Sequence, residues 1–428
     1  MADPVVQGAA LLLPQIVPEF GQGERTSLRL SAADQLLEHH FRQQRSGSLE
    51  RQAISELVYY ILRHRRSLEA VVRHLLPESG QPEPLFLAQA ASVALREGWQ
   101  QLGGWQRLAR LLGIEPLPGS VPLLPLSDAE QHELPEWLWQ QWLTEWGREQ
   151  TSALAKALNQ PATVDLRVNT LRANREQVLA ELTAHRLSCQ YTPHAPHGLR
   201  LHERQALQPL AAFQQGWFEV QDEGSQLMAP LLQPRPGELI IDLCAGGGGK
   251  TLHLAALLNN RGRLVAVDNE AGRLLRLTQR CKRAGVRIVR TVPVRHERDT
   301  PLKEWENKAD AVLVDVPCSG SGTLRRHPEL KWRLQSAQIA AYHYRQCALL
   351  EAGARLTRPG GRLLYVTCSL LARENQDVVA AFLADNRSFR SKMAVLPPGL
   401  TAEGPLFHLL PHRSGTDGFF AALLQRLA

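Results

Sequence analysis

The chain has 428 residues, of which 44% are hydrophobic and 21% charged, a composition typical of a folded globular protein and not of a disordered or fibrous one. Its 49 Lys and Arg residues outnumber its 42 Asp and Glu residues, and the resulting net charge of +7 favours a polyanionic partner only modestly. The six cysteines form no CxxC pair and have no histidine at metal-ligand spacing, which argues against a disulfide framework and against a metal site.

The N-terminus contains a short apolar run at 9–13 that has no basic region before it and is interrupted by Pro14 and Pro18. No later stretch reaches the roughly 18 apolar residues that a membrane span needs. We therefore expect neither a signal peptide nor a membrane segment, and we expect a cytoplasmic protein with reduced thiols.

The region 1–130 has a helical pattern, with apolar residues such as Leu37, Ile54, Leu57 and Ile61 recurring at helical spacing. Seven arginines lie on the polar faces of this segment: Arg42, Arg45, Arg51, Arg63, Arg65, Arg66 and Arg73. They indicate either a solvated basic face on a helical bundle or a surface that binds nucleic-acid phosphates. A proline-rich stretch at 116–125 ends the region.

The region 131–230 begins with a predicted helix at 134–147 that carries four tryptophans. Trp139, Trp142 and Trp146 share one helix face, which indicates a core stripe more often than a base-stacking platform. Short strands are predicted at 164–169 and 198–201, with an amphipathic helix at 170–187 between them. These elements form a helix followed by a small α+β unit.

From residue 236 onward, strands alternate with helices, which predicts a doubly wound α/β fold with a mostly parallel sheet and right-handed crossovers. The predicted strands are 239–243, 263–267, 287–292, 311–316, 362–366 and 418–424. The predicted helices are 250–258, 271–284, 336–356 and 374–384.

A glycine-rich turn follows the first of these strands, in the run IIDLCAGGGGKT at 240–251. Glycine lets a backbone approach a ligand closely, and the helix that follows offers free N–H groups. The run does not match a P-loop, because position 244, where the first glycine of that motif would stand, is Cys. It does not match the dinucleotide-binding motif G-x-G-x-x-G either, because Lys250 and Thr251 follow the glycines too soon. The nucleoside-binding loop of a methyltransferase is favoured, because Asp268 ends the next strand, where an acid can bind both ribose hydroxyls.

Two cysteines follow two later strands. The strand at 311–316 leads to Asp315, Pro317 and Cys318, and the strand at 362–366 leads to Thr367 and Cys368. The carboxyl ends of parallel strands meet at one edge of a sheet, so we expect these side chains to lie together. A single cysteine in such a place is more often a small core residue, and we interpret the remaining Cys189, Cys281 and Cys347 in that way.

The runs IIDLCAGGGGKT, VAVDN, DVPCSGSGTLRRHPELKW and YVTCS, in this order, resemble the RNA cytosine-C5 methyltransferases of the Nop/Sun family. DLRVNTLRANRE and VQDEGSQL resemble the segment that precedes the family's catalytic domain, and DGFFAALLQR resembles its closing strand. The segment SAADQLLEHHFRQQRSGSLERQAISELVYYILRHRR is similar to the NusB-like domain of the Sun/Fmu branch, which methylates small-subunit ribosomal RNA.

The resemblance implies a monomeric enzyme that transfers a methyl group from S-adenosylmethionine to cytosine in 16S rRNA. It also implies three domains: a helical NusB-like RNA-binding domain at 1–130, the connector at 131–230, and a Rossmann-like class I methyltransferase domain at 231–428. Given that resemblance, it is improbable that Cys318 and Cys368, beside an acid on one sheet, are both merely structural residues.

The resemblance assigns roles to individual residues. Cys368 would add to C6 of an unstacked cytosine, Cys318 would assist product release, and Asp315 would hydrogen-bond the N3/N4 edge of the base. The implied cofactor-binding residues are Cys244, Ala245, Gly246, Gly247, Gly248, Gly249, Lys250, Asp268 and Asp315. The implied RNA-binding residues are Arg325, Arg326, His327, Arg167 and Asn169.

The chain departs from the family pattern in two places. It has four glycines at 246–249 where the family usually has CAAPGGK or CAGAGGK, and it has Val294 or a neighbour where an Asp after the third strand normally binds adenine. Asp299 is the nearest acid. An RNA-binding ribosome-assembly factor with a lapsed catalytic domain, and a tRNA cytosine-C5 methyltransferase, therefore stay open as alternatives. A nicotinamide dehydrogenase explains neither cysteine.

Overall fold

The computed structural model describes residues 3–17, 33–44, 46–78, 82–98, 101–397, 399–402 and 404–428. The chain divides into two compact units. One consists of Met1–Gln160 and Leu324–Gln335, and the other of Pro161–Thr323 and Ser336–Ala428. Among the described residues, no helix combines the length and the apolarity that crossing a bilayer requires. The boundaries predicted at 130 and 230 stay a prediction.

The helices, in chain order, are α1 (Pro4–Ile16), α2 (Ala33–Gln44), α3 (Ser48–Arg63), α4 (Arg65–Leu75), α5 (Pro84–Glu97), α6 (Leu102–Leu111), α7 (Asp128–Gln131), α8 (Glu136–Leu158), α9 (Arg175–Ala184), α10 (Ala211–Gln214), α11 (Glu223–Leu231), α12 (Gly249–Leu257), α13 (Ala271–Ala284), α14 (Leu330–Arg333), α15 (Ser336–Leu356), α16 (Gln376–Asp385) and α17 (Pro411–Ser414). Short 3₁₀ helices lie at Thr300–Trp305, Ser321–Thr323 and Ala372–Glu374.

The strands are β1 (Val164–Val168), β2 (Cys189–Tyr191), β3 (Gly198–Leu201), β4 (Phe218–Val220), β5 (Leu239–Asp242), β6 (Arg263–Asp268), β7 (Val289–Pro293), β8 (Ala309–Asp315), β9 (Thr357–Thr367), β10 (Phe389–Lys392), β11 (Leu406–Leu409) and β12 (Phe419–Arg426).

An apolar core in the helical unit is built mainly from one face each of α1, α3, α4 and α5. Trp332, from the segment Leu324–Gln335, belongs to the same core, and its indole N–H donates to the carbonyl of Leu62 at 2.7 Å. In α8, Trp139 and Trp142 are buried, which confirms their prediction as core residues. This helix is kinked at Gly147, where φ is +73°.

The predicted α+β unit is a four-stranded sheet of order β2-β3-β1-β4 with antiparallel pairing. The helix predicted at 170–187 is shorter in the structure, as α9 at Arg175–Ala184, and it buries only Val178 and Leu182. It begins with a capping box, in which Asn174 accepts from the N–H of Gln177 and the Gln177 side chain accepts from the N–H of Asn174. Two of the four strands, β2 and β4, are three residues long, and sequence patterns did not predict them.

The large sheet has the order β10-β12-β9-β8-β5-β6-β7, with β11 paired to β12. The strands β7, β6, β5, β8 and β9 are parallel, and β12 is antiparallel to β9. Successive strand residues face opposite sides: Ile240 packs in one apolar cluster with α11, α12 and α13, and Ile241 packs in another with α15 and α16. The predicted doubly wound α/β fold is confirmed.

All six predicted strands of this sheet are present, and β10 and β11 are additions. Strand β9 begins at Thr357 rather than at 362, so it includes Pro359, Gly360 and Gly361. Proline and glycine usually mark a strand boundary, which explains the late prediction. The structure accommodates them through a register shift opposite Ala309 and Ala311.

Candidate active site

The polar residues singled out in the sequence lie at the carboxyl ends of β5, β6, β8 and β9. These four strands are parallel neighbours, so the segments that follow them meet at one edge of the sheet. The glycine loop follows β5 and Asp268 ends β6. Asp315 ends β8, and Cys368 directly follows β9.

The two cysteines are in direct contact, with their sulfur atoms 3.3 Å apart. The hydrogen bond to Cys368, followed by burial, raises the pKa of the Cys318 thiol well above its usual value. Cys318 is therefore the thiol that holds its proton more firmly. Either sulfur can donate the hydrogen bond between them, so the contact itself has no fixed direction.

Asp315 and Lys250 form an ion pair at the same edge, with Lys250 Nζ 2.7 Å from Asp315 Oδ2. Burial alone would lower the pKa of Lys250, but the Asp315 carboxylate outweighs it and raises that pKa, with a smaller contribution from Cys368. Lys250 is therefore a fixed cation beside the sulfur pair.

A single buried carboxylate, that of Glu374, holds both cysteine loops. Its Oε1 accepts from the N–H of Ser319 at 2.8 Å, and its Oε2 accepts from the hydroxyls of Ser319 and Ser369, each at 2.5 Å. Ser319 follows Cys318 in the chain, and Ser369 follows Cys368. Glu374 therefore links the two cysteine loops, which are also joined directly, from the N–H of Gly322 to the carbonyl of Cys368 and from the N–H of Leu370 to the hydroxyl of Ser321, each at 2.9 Å.

Glu374 is not recognisable as a functional residue from the sequence. The available signal was an acid six residues after Cys368, just before a helix, which is also where an ordinary surface acid or a helix cap would stand. Gln346 completes its surroundings, donating to Glu374 Oε1 at 3.0 Å and to the carbonyl of Pro317 at 3.1 Å. Only the fold shows that these residues meet.

The glycine loop takes a backbone path that side chains would obstruct. Gly246 and Gly248 have φ of +55° and +84°. A Cβ at Gly248 would lie 2.1 Å from a methyl carbon of Leu277, whereas a Cβ at Gly246 would meet nothing within 4 Å. The loop is therefore packed tightly against α13 on one side and open on the other.

Asp268 connects the end of β6 to this loop. Its Oδ2 accepts from the N–H of Gly246 and its Oδ1 accepts from the N–H of Glu270, both at 2.8 Å. Each carboxylate oxygen has a second lone pair, so Asp268 can still accept hydrogen bonds from two ribose hydroxyls. The open face of Gly246 and this acid together fit a nucleoside.

Two further residues lie beneath the loop. Asp242 is fully buried and accepts from the hydroxyl of Thr251 at 2.6 Å. Burial, reinforced by the charge of Asp315, raises the pKa of Asp242 to about 7. Burial also raises the pKa of the Cys244 thiol, whose side chain packs against the apolar cluster under β5. The sequence pattern indicates only that Asp242 ends a strand, and not that it has a functional role.

The residues predicted to bind RNA lie in two places. Arg167 and Asn169 are buried in the sheet-containing unit. Arg167 donates to Gln221 at 2.6 Å and to the carbonyl of Gly249 at 3.4 Å. Asn169 Nδ2 donates to the carbonyls of Gly216 and Ala284 at 2.8 and 2.9 Å. Both side chains are thus engaged inside the protein.

Arg325, Arg326 and His327 belong to the segment Leu324–Gln335 of the helical unit. Arg325 is buried, and its carbonyl accepts from Arg63 at 3.2 Å. His327 lies 3.5 Å from the carboxylate of Glu329, and the hydrogen bond to that carboxylate raises the pKa of the imidazole. The RNA-binding role of these three residues stays a prediction.

The end of β7 has a valine where the family pattern has an acid. Val294 packs against an apolar cluster and donates its N–H to the carbonyl of Asp268 at 3.1 Å. Asp299, the nearest acid in sequence, caps a 3₁₀ helix through the N–H of Thr300 and binds Arg295 at 3.0 Å. Asp299 is thus occupied by a local structural role.

Residues 229–425 match the family model described as 16S rRNA methyltransferase RsmB/F, and residues 134–208 match the model of the RsmF/B-like ferredoxin-like domain. A probable ribosomal RNA small subunit methyltransferase B from Synechocystis sp. is 33% identical over 420 residues, covering 88% of this chain and 91% of its own length. The ribosomal RNA small subunit methyltransferase B of Pseudomonas syringae is 36% identical over 299 residues, covering 69% and 66%.

Among solved structures, PH0851 superposes with a TM-score of 0.78 at 27% identity, covering 100% of both chains. A methyltransferase homolog protein from Pyrococcus horikoshii gives 0.62 at 27% identity, covering 71% of this chain and 100% of its own.

The sheet order, the glycine loop after β5 and the acid at the end of β6 define a class I methyltransferase. Within that class, the chain belongs to the 16S rRNA methyltransferase RsmB/F family, also called Sun/Fmu.

Proposed function

We propose that this enzyme transfers a methyl group from S-adenosylmethionine to C5 of a cytosine in 16S ribosomal RNA, through a covalent bond between Cys368 and C6 of the base. The observation that carries the proposal is the contact between the two sulfurs, 3.3 Å apart, beside the Asp315–Lys250 ion pair. The choice of ribosomal RNA follows the names of its relatives. We expect a monomer that acts in the cytoplasm.

The cofactor would be bound by the glycine loop and by Asp268, which fit a nucleoside for the reasons given above. S-adenosylmethionine supplies an electrophilic methyl group when bound. C5 of cytosine is too poor a nucleophile to take that group unaided, and the protein has to make it electron-rich.

Cys368 performs that activation. Its thiolate adds to C6, which forms a C–S bond and makes C5 enamine-like. Asp315 is placed to hydrogen-bond the N3/N4 edge and stabilise the charge of the adduct, while Lys250 holds Asp315 in position. Once C5 has been methylated, the C5 proton must leave and the C–S bond must break.

Cys318 is suited to that second half. Its pKa is raised mainly by its hydrogen bond to Cys368. When Cys368 has become a thioether, that cause disappears, while burial still raises the pKa of Cys318. Cys318 would first release its proton to solvent and then, as a thiolate, accept the proton that leaves C5. The electron pair of the C5–H bond forms the C5–C6 double bond as the C–S bond breaks, so the aromatic ring is restored and Cys368 leaves as a thiolate.

Two cysteine variants test the assignment on an RNA fragment. Cys368→Ala should abolish methylation and form no adduct. Cys318→Ala should accumulate a protein–RNA adduct that survives denaturing gels, because release is blocked. Cys189→Ala, in the α+β unit, is the matched control and should leave activity intact.

Methylation by Cys368→Ala would refute the assignment, and an inactive, adduct-free Cys318→Ala beside an active Cys368→Ala would exchange the two roles. Bisulfite sequencing of total RNA from a strain lacking the gene identifies the substrate, since one cytosine of 16S RNA should lose its protection. Loss in a transfer RNA instead would refute the ribosomal choice.

A further inference from the structure

A second concave surface lies in the sheet-containing unit, where the segment 208–217 meets the C-terminal half of α13. It is a groove of about 820 Å³. Its lining residues come from those two segments and from Arg172, and none belongs to β8, β9 or the cysteine loops. The groove is therefore separate from the sulfur pair and from the Asp315–Lys250 ion pair.

The chemistry of the groove is distinctive. Three cations line it (Arg172, Lys282 and Arg283), together with two aromatic rings (Phe213 and Trp217) and four glutamines. None of the residues that line it in the described part of the chain is acidic. Cations beside aromatic rings and amides are the combination by which proteins bind single-stranded nucleic acid: cations contact phosphates, rings stack on bases, and amides bond base edges.

Arg283, Phe213 and Trp217 are held in place by contacts within the protein. The guanidinium of Arg283 lies 4.1 Å from the ring centroid of Phe213 and 2.6 Å from the buried carboxylate of Glu219. Trp217 packs partly against the apolar core of the α+β unit, which fixes its indole at the rim. Fixed groups lose less conformational entropy when a ligand binds.

The floor of the groove is a rigid junction. Gly216, at φ +73°, lies so close to the end of α13 that a Cβ would be 2.3 Å from the carbonyl oxygen of Arg283. Asn169 joins the two segments by donating to the carbonyls of Gly216 and Ala284. Asn169 therefore connects the two segments below the surface of the groove, and its RNA-binding role stays a prediction.

We propose that this groove binds a single-stranded segment of the RNA substrate outside the catalytic centre. Arg172 and Lys282 contact phosphates, and Trp217 and the guanidinium plane of Arg283 stack with bases. The inference rests on the proposed function only in taking RNA as the ligand. Its test needs no methyl transfer, so the two can fail independently.

The probe is a fluorescent uridine oligomer of about twelve nucleotides, which contains no cytosine, added to the full-length protein and followed by anisotropy. Arg172→Glu combined with Lys282→Glu should weaken binding by about tenfold or more and should make affinity less dependent on salt, because phosphate contacts are lost. Both side chains are exposed, so the fold should persist. Arg390→Glu combined with Arg287→Glu makes the same change in net charge at exposed sites outside the groove, and should change affinity less than about twofold.

Equal losses in the groove pair and the control pair would overturn the proposal, since binding would then follow net charge alone. A second measurement uses a 4-thiouridine oligomer and maps photo-crosslinks by mass spectrometry. Crosslinks in the peptides that carry Phe213 and Trp217 support the groove, and crosslinks confined to other peptides refute it. Uridine monophosphate should compete only weakly; if it displaces the oligomer at equal nucleotide concentration, the groove is a mononucleotide site and the single-strand assignment is wrong.

Discussion

The two halves of the active-site edge are stabilised in different ways. At the ends of β8 and β9, the cysteine loops are fixed by side chains, above all by the buried carboxylate of Glu374. At the ends of β5 and β6, the glycine loop is held through its backbone groups. The N–H of Gly246 donates to Asp268, the carbonyls of Gly247 and Gly249 accept from Arg280 and Arg167, and Gly248 lies against Leu277. A sulfur that forms and breaks a bond needs its direction set, whereas a loop that binds a nucleoside needs an unobstructed backbone.

The two halves are therefore expected to tolerate different substitutions. Replacing a buried carboxylate that accepts several hydrogen bonds costs stability, because the donors lose their acceptor at a place that water does not reach. A glycine at positive φ is costly to alter for another reason, since an added Cβ meets both an unfavourable backbone conformation and its neighbours. The following substitutions separate these effects.

The largest effect is expected from Glu374→Gln. An amide accepts hydrogen bonds only through its oxygen, so the serines that follow the two cysteines lose acceptors. The kcat should therefore fall by about a hundredfold, with little change in the KM for S-adenosylmethionine. Glu374 also contributes to the raised pKa of Cys318. The alkylation rate of Cys318, measured against pH, should therefore rise at lower pH in the variant.

The control for that substitution is Glu304→Gln, which removes a carboxylate from a largely exposed ion pair with Arg290. It should leave both kcat and the alkylation profile as in the wild type. If Glu374→Gln turns over normally, or loses activity with an unchanged Cys318 profile, the carboxylate does not set the sulfur geometry.

A smaller effect is expected from Gly248→Ala. The left-handed backbone and the contact with Leu277 should weaken S-adenosylmethionine binding by about tenfold and cost about 1–3 kcal/mol of unfolding free energy. Titration calorimetry and thermal unfolding measure the two quantities. Gly247→Ala is the matched control: an added Cβ there would have the flexible end of Arg280 as its nearest neighbour, at 3.5 Å. Equal behaviour of the two variants would refute a special role for position 248.

Asp242→Asn is expected to change how protein stability depends on pH, with the smallest effect on activity of the three substitutions. The folded pKa of Asp242, about 7, lies above its unfolded value, so the folded state binds the extra proton between roughly pH 4 and 7. Its contribution to stability is complete below that window and is lost as pH rises through it, by at most about 1.4 kcal/mol per pH unit. The melting temperature of the wild type should therefore fall more steeply between pH 5 and 7 than that of Asp242→Asn; parallel curves would show that Asp242 does not titrate there.

The sequence predicted the parts of this edge that local pattern determines. Apolar runs located the strands, glycines located the loop, and parallel order alone was enough to bring Asp315, Cys318 and Cys368 to one edge. The pattern could not predict which residues support them. Glu374 and Asp242 act through partners from other elements, and no spacing rule links an acid to a serine 55 residues earlier in the chain.

The segment 324–335 shows the same limit from the other direction. The family resemblance implies that its Arg325, Arg326 and His327 bind RNA, and that role stays a prediction. The structure uses the segment as part of the helical unit, with Trp332 in its core and Lys331 donating to the carbonyl of Arg63 at 3.2 Å. Burial lowers the pKa of Lys331, and the neighbouring sequence does not indicate that this lysine is buried.

Glu219 connects the groove to the glycine loop. Its buried carboxylate binds Arg283 in the groove at 2.6 Å and Arg280 at 2.9 Å, and Arg280 also donates to the carbonyl of Gly247 in the glycine loop. A ligand that draws Arg283 away leaves that negative charge to Arg280 alone, which changes how firmly Arg280 holds the loop. Thermodynamic linkage makes any such influence mutual: the factor by which RNA in the groove changes cofactor affinity equals the factor by which cofactor changes RNA affinity.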